Sequence, residues 1–303
     1  MHIVVLGAGA VGGYFGGKLA LSNVPVTFLV REKRFQQLQD KGLQIKSIHG
    51  DFSLQPALAR SAEEISNPDV VLIALKNYHL QSALPEIRTL VKKGAKILPL
   101  LNGIEHYETL TAEFGQETVL GGLCYIESTL DTEGKILQTS PMQDIIFGSF
   151  NPSHAPWMLK LQSILRDSGA NVRLSDSIIV DIWQKFIFLT IMSGITAATR
   201  KPIGEILTDP VTYGFLKDMI QEVVTVAQAE KIGIPADTKE QILQRVASLP
   251  PEMTSSLHRD LEKGLPLEID SLQGYVYKLS AKHGLSVPCI RSVYSLLHPY
   301  KGF

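Results

Sequence analysis

The residues whose types and spacing allow chemistry begin with Gly7-Ala8-Gly9-Ala10-Val11-Gly12. This is G-x-G-x-x-G, set directly after the apolar run Ile3-Val4-Val5-Leu6 and before a helical stretch. In that setting Gly7 permits a tight turn, Gly9 lets backbone N–H groups approach a pyrophosphate, and Gly12 lets the helix lie close to the strand. The helix N-terminus adds a partial positive charge that attracts the anion. A turn that serves packing alone is the plainer reading; the strand before it and the helix after it favour dinucleotide binding. Arg31 stands after the second apolar run, 19 residues beyond Gly12, where NAD binders carry an acidic acceptor for the ribose 2′-hydroxyl. A guanidinium there, with Lys33 and Arg34 close behind, suits a 2′-phosphate bound through paired hydrogen bonds. NADP(H) is therefore favoured over NAD, against the alternative of a solvated arginine beside Glu32.

In open α/β sheets ligands lie beyond the carboxyl ends of the strands. Lys76 follows one such run and Asn102-Gly103 another. Lys76 can meet a carboxylate or phosphate, and the Asn102 amide can bridge cofactor and substrate, although Asn-Gly serves equally as a simple turn. Lys185 is the single charge within Trp183-Gln184-Lys185-Phe186-Ile187-Phe188-Leu189. A buried ammonium needs a purpose or a partner. Desolvation would lower its pKa, which suits a general acid to a ketone oxygen that gains negative charge as hydride arrives. A stem along the helix with its tip in water explains the same residues as well. Leu189 and Ser193 share the helical face of Lys185. Ser256, Asp260 and Glu268 form the last polar group; Glu268 is expected at a helix start, where the dipole favours a carboxylate whatever its role. His79, His258 and His283 show neither triad nor metal-ligand spacing and read as surface or satisfied residues.

The elements that must position these groups fall into two parts. Over residues 1–175 short β-branched runs alternate with helical stretches, the pattern of a mostly parallel sheet covered by helices. Strands are expected at 3–6, 26–30, 70–74 and 95–98, each continuously apolar as befits strands covered on both faces. Residues 43–48 and 52–54 predict an inserted hairpin, and 119–129, 135–139 and 144–150 predict antiparallel strands that finish the sheet. Residues 176–303 read as helical, with one helix opened by Asp209-Pro210, another capped by Ser255 or Thr254, and one over 268–283. The fold class is thus α/β, a doubly wound N-terminal sheet followed by an all-helical C-terminal domain.

Composition narrows the function classes. With 303 residues, 45% hydrophobic and 19% charged, the chain can bury a core, and its length suits two domains of roughly 150 residues. A net charge of −1, from 29 basic and 30 acidic residues, offers no broad field for nucleic acid or acidic lipid. Cys124 and Cys289, far apart, suggest neither a disulfide framework nor a metal centre, and both read as reduced, buried thiols. The opening residues carry no secretory signal, so a cytoplasmic location is expected. The uncharged stretch 186–199 is shorter than the roughly 20 residues of a membrane span and reads as a buried helix. No nucleic-acid or membrane partner is expected; the helical faces suit a monomer or a homodimer.

Taken together, Gly7 to Gly12, Arg31, Leu75-Lys76-Asn77-Tyr78, Asn102-Gly103-Ile104, Trp183-Gln184-Lys185-Phe186, the run from Ser255 to Asp260 and Leu267-Glu268-Ile269-Asp270 resemble the ketopantoate reductase family along essentially the whole chain. The resemblance implies a Rossmann-type domain, a helical domain, and reduction of 2-dehydropantoate to (R)-pantoate by NADPH in pantothenate biosynthesis. It further implies Lys185 as proton donor and Glu268 as the residue that orients the substrate hydroxyl. Asn102 and Ser256 would hold substrate, and Lys76 would lie near the nicotinamide and the substrate carboxylate. Members of the family carry asparagines four and eight positions after the lysine, where this chain has Leu189 and Ser193. An apolar wall at 189 shifts substrate preference, so a reductase of another branched 2-oxo acid stands as the alternative. A non-catalytic NADP(H)-sensing protein is a third reading.

Overall fold

The computed structural model describes residues 1–151 and 155–302, so Phe303, which ends the expected second domain, lies outside it. The chain forms two compact units, one of Met1–Leu101 with His106–Ile178 and one of Asn102–Glu105 with Ile179–Phe303. The division falls after residue 178 rather than 175, and the second unit takes in Asn102–Glu105.

The first unit runs β1 (Ile3–Leu6), α1 (Ala10–Leu21), β2 (Val26–Leu29), α2 (Glu32–Lys41), β3 (Leu43–Ser47), β4 (Phe52–Leu54), β5 (Ala57–Ala59), β6 (Val70–Ile73), α3 (Leu80–Lys92), β7 (Lys96–Pro99), α4 (Glu105–Phe114), β8 (Gly121–Leu130), β9 (Ile136–Gly148), α5 (Pro156–Asp167) and β10 (Asn171–Leu174). Strands β5-β2-β1-β6-β7 form a parallel sheet in that order, with Ile3 opposite Val26 on one side and Val70 on the other. Successive side chains of a strand point to opposite faces. Ile3 and Val5 accordingly join Tyr14, Phe15 and Leu19 of α1 in one core. Val4 and Leu6 join Leu80, Ile87 and Leu90 of α3 in another. Burial on both faces is the physical reason these strands lack alternation.

The antiparallel strands do not finish this sheet, as the sequence predicts, but build a second one, β10-β9-β3-β4 with β8 along β9. Pairing between β7 and the chain before β8 stops at one bridge, Ile97 to Val119. Pro99 closes β7 and brings no N–H to extend that edge. The two strands expected at 135–139 and 144–150 are one, β9. Pro141 suggests a break, but β8 shifts register between Ile126 and Ser128, and Glu127 N donates to Ser140 Oγ at 3.0 Å in place of a ladder partner. The extra residues, 139–142 with Pro141 among them, bulge from β9 opposite Glu127, and the strand runs on past them.

The second unit holds α6 (Ile178–Thr199), which begins at the last residue of the first, then α7 (Ile203–Thr208), α8 (Pro210–Ala229), α9 (Thr238–Ala247), α10 (Ser256–Glu262), α11 (Tyr275–Lys282) and α12 (Pro288–Leu297). Asp209 caps α8 by accepting from Val211 N at 3.1 Å and Thr212 N at 2.8 Å, with Pro210 in the first turn. Helix α6 has 22 residues, longer than its uncharged stretch, and by length and composition alone would pass for a membrane span; 67% of its most apolar window is buried in the protein.

The single helix expected over 268–283 is replaced by a π-turn, Asp270–Gly274, that leads into α11. Gly274 N donates to Ile269 O at 2.9 Å, five residues back. Tyr294 of α12 packs over Gly274, and its hydroxyl donates to Asp270 Oδ1 at 2.7 Å. Burial, reinforced by Asp270, pushes the Tyr294 hydroxyl up to about 12 from its ordinary 10.0. A folded-state pKa above the unfolded one contributes stability that is complete below pH 10 and lost as pH rises towards 12. Wild type is thus expected to melt above Tyr294→Phe at neutral pH, with the two melting curves converging between pH 10 and 12. A constant gap across that window would contradict the linkage.

Candidate active site

In the first unit the glycine-rich turn joins β1 to α1. Gly7 adopts φ +100°, which a side chain disfavours. A Cβ on Gly12 would strike Gly7 O and come within 2.8 Å of Ala74 Cβ and 3.1 Å of Val5 Cγ1, so only glycine lets α1 sit this close to the sheet. Gly9 is the reverse case, since a Cβ there meets nothing within 4 Å. Gly9 is also the N-cap of α1, with no side-chain cap and no acidic residue in the first turn. The first amides of a helix have no partner within it. An open glycine at an uncapped, acid-free helix start fits the pyrophosphate of a dinucleotide.

Arg31, exposed after β2, donates from Nη2 to Ser82 Oγ at 2.9 Å, and its Nη1 lies 3.5 Å from His79 Nδ1. The guanidinium therefore extends to the start of α3, and His79 belongs to its surroundings. Arg34 does not accompany it. Its Nε donates to Ala8 O at 3.0 Å and its Nη1 to Gln37 Oε1 at 2.5 Å and Gly134 O at 2.9 Å, which braces the glycine-rich turn. Burial lowers its pKa. Lys76, half-buried, is the N-cap of the 3-10 turn Asn77–His79 that follows β6.

In the second unit Lys185 is 6% exposed and donates from Nζ to Asn102 Oδ1 at 3.1 Å. The lysine is buried, and Asn102 is a polar partner of its ammonium. Trp183, Phe186 and Tyr275 stack edge to face around this part of α6, with centroids 5.6 and 6.3 Å apart. The Asn102-Gly103 turn that delivers the amide is specific: Gly103 has φ +81°, and a Cβ there would lie 2.6 Å from Ser271 O. Lys278 Nζ, 2.8 Å from Glu105 Oε1, ties the same segment to α11.

Glu268 is buried, two residues before the π-turn rather than at a helix start. Ser256 is exposed as the first residue of α10; Ser255 caps that helix by accepting from His258 N at 3.0 Å, and lies 2.9 Å from Thr196 Oγ1 of α6. Asp260 is half-buried in α10. On α6, Leu189 is half-buried. Ser193 is 3% exposed, and its hydroxyl accepts from Gln273 Nε2 at 2.9 Å, so it is engaged within the protein rather than lining open space. Gln273 was legible only as a polar residue between Leu272 and Gly274, five positions after Glu268. His258 is buried with Nε2 3.4 Å from Glu262, and His283 Nε2 lies 2.5 Å from Glu230. Cys124 and Cys289 are free thiols; Cys124 is buried and Cys289 half-buried. Burial, with Glu222 adding to it, pushes the Cys289 thiol up to about 12.

The family model described as ketopantoate reductase PanE/ApbA matches residues 3–152, and the one described as its C-terminal part matches residues 177–301. An uncharacterized oxidoreductase, YkpB, of Bacillus subtilis (strain 168) is 39% identical over 303 residues, covering 99% of both chains. A 2-dehydropantoate 2-reductase of Nostoc is 26% identical, over 97% of this chain and 93% of that one. The crystal structure of a 2-dehydropantoate 2-reductase from Geobacter metallireducens superposes with a TM-score of 0.90 at 29% identity, covering 99% of each chain.

Proposed function

We propose, from the premise that the chain belongs to the ketopantoate reductase family, that it reduces 2-dehydropantoate to (R)-pantoate with NADPH. The observation that carries the reading is Lys185, a buried ammonium held by Asn102 in an otherwise apolar helix segment. Reduction of a 2-oxo acid needs a donor for the carbonyl oxygen, a cation for the carboxylate and a site that excludes water. When bound, the reduced nicotinamide supplies the hydride that adds to C2. Lys185 Nζ gives its proton to the carbonyl oxygen as that oxygen becomes an alkoxide, and the resulting amine recovers a proton from solvent. Asn102 Oδ1 keeps Nζ directed, and Asn102 with Ser256 holds substrate. Glu268 orients the substrate hydroxyl. Lys76 meets the carboxylate. The turn from Gly7 to Gly12 holds the pyrophosphate, and Arg31, with Ser82 and His79 beside it, holds the 2′-phosphate.

The test is NADPH consumption by the purified protein across a panel of 2-oxo acids. Turnover fastest with 2-dehydropantoate is the expected result. Leu189 favours a second reading, a preference for a simpler branched 2-oxo acid, because a half-buried leucine one turn past Lys185 offers substrate no polar contact. Faster turnover of 2-oxoisovalerate would establish that reading instead, and no turnover of any 2-oxo acid would refute both. Cofactor choice has its own test. Arg31→Ala is expected to weaken NADPH by about 1.5–3 kcal/mol, roughly 10- to 150-fold in Kd by calorimetric titration. NADH should lose little, and equal losses for both cofactors would contradict the phosphate role.

A further inference from the structure

We propose that Gln273 is a positioning residue of this site, a latch that sets the segment bearing Glu268 against the helix bearing Lys185; the inference rests on the reductase reading above. Gln273 is fully buried on the π-turn, five residues after Glu268. Its Nε2 donates to Thr190 O at 2.7 Å and to Ser193 Oγ at 2.9 Å. Both acceptors are on α6, one to two turns past Lys185. The amide thereby spends both of its N–H groups on one helix, across 80 residues or more of chain.

Two further contacts close the same circuit. Lys185 Nζ bonds to Asn102, and Gly103, next to Asn102, packs so tightly on Ser271 of the π-turn that a Cβ would lie 2.6 Å from Ser271 O. Helix α6, the Asn102-Gly103 turn and the π-turn thus fix one another, and Gln273 is the side chain that joins the first to the third. Among the described residues Gln273 Oε1 is buried with no hydrogen-bond partner. A leucine would pack in the same volume without that orphaned acceptor, so the glutamine is explained by its two donors. The latch sits on a π-type turn, a rare interruption of helix that is frequent at functional sites. Ser193 follows suit: the hydroxyl that sequence spacing placed on the Lys185 face serves the latch.

Gln273→Leu, similar in size and without donors, tests the proposal in the full-length protein. With NADPH and the best 2-oxo acid of the panel, kcat is expected to fall roughly 10- to 100-fold, as when a catalytic group is misplaced by a fraction of an ångström to an ångström. KM for the 2-oxo acid and Kd for NADPH should change much less. In a Lys185→Met background the same substitution should lower kcat no further, because the latch acts through Lys185. Ser193→Ala, which keeps the Thr190 bond, should show the same pattern at smaller size and stands in if Gln273→Leu fails to fold. A lower melting temperature with wild-type kcat below it, or an equal fall in the Lys185→Met background, would reduce Gln273 to a packing residue and overturn the proposal. Wild-type activity with an unchanged variant sinks the latch alone; a wild type that reduces no 2-oxo acid sinks the reductase reading and the latch with it.

Discussion

Lys185→Met is expected to lower kcat for 2-oxo acid reduction by roughly 10²- to 10⁴-fold, the range for loss of a positioned general acid. Methionine keeps the length and apolar stem of lysine and so leaves the packing among Trp183, Phe186 and Tyr275 nearly intact. What it removes is the N–H donor at the position held by Asn102, 3.1 Å away. The alkoxide formed as hydride adds then has no proton source at hand, and the barrier rises in the chemical step. NADPH affinity should hold, since the glycine-rich turn and Arg31 belong to the other unit. Substrate KM should rise only modestly, because the proton is passed in the transition state rather than in the ground state. Stopped-flow single turnovers separate these terms; a single-turnover rate equal to wild type would remove Lys185 from the chemistry. Asn102→Ala is a milder version, since it leaves the ammonium in place and takes away its guide.

Much of this arrangement was legible in the sequence, for identifiable reasons. The parallel sheet announced itself because burial on both faces demands continuous apolar runs, and Ile3 to Leu6 or Val70 to Ile73 have no other use. The caps at Asp209 and Ser255 were legible because their bonds are local, two or three residues long. Lys185 is a charge among aromatic residues, and its spacing is equally compatible with a tip in water. The choice between inside and surface depended on Asn102, 83 residues away.

The failures share that cause. Whether β8 and β9 extend the first sheet or found a second depends on how far β7 can pair beyond Ile97, which no local periodicity encodes. Residues 135–139 and 144–150 read as two strands, whereas β9 runs through both, with Ser140 Oγ accepting from Glu127 N between them. The π-turn is held to Tyr294 of another helix, a contact that the periodicity of 268–283 does not encode. Arg31 and Arg34, three residues apart, look alike in sequence; Ala8 and Gly134 engage one, and Ser82 the other.

The glycine-rich turn offers the second large effect, because two of its glycines should fail in opposite ways. Gly12→Ala is expected to disrupt the first unit itself. The new Cβ would strike Gly7 O, which is backbone and cannot swing aside, and would crowd Ala74 and Val5 in the sheet. Helix α1 must then lift from β1 and β6, at a cost of about 1–3 kcal/mol or more for overpacking a filled core. A shift of the helix start also scatters the amides that meet the pyrophosphate, so NADPH binding should be lost along with stability. Gly9→Ala has room for its Cβ and an ordinary backbone, φ −79° and ψ −162°, and should melt with wild type. The open space at Gly9 is nevertheless where a pyrophosphate would approach the backbone, and a methyl group there should weaken NADPH roughly 10- to 100-fold, the worth of one or two hydrogen bonds to a charged group. Thermal melts with and without NADPH distinguish the two: Gly12→Ala loses the baseline, Gly9→Ala only the shift on adding cofactor. Equal baselines and equal shifts for both variants would mean that this turn is a packing device and that the dinucleotide is held elsewhere.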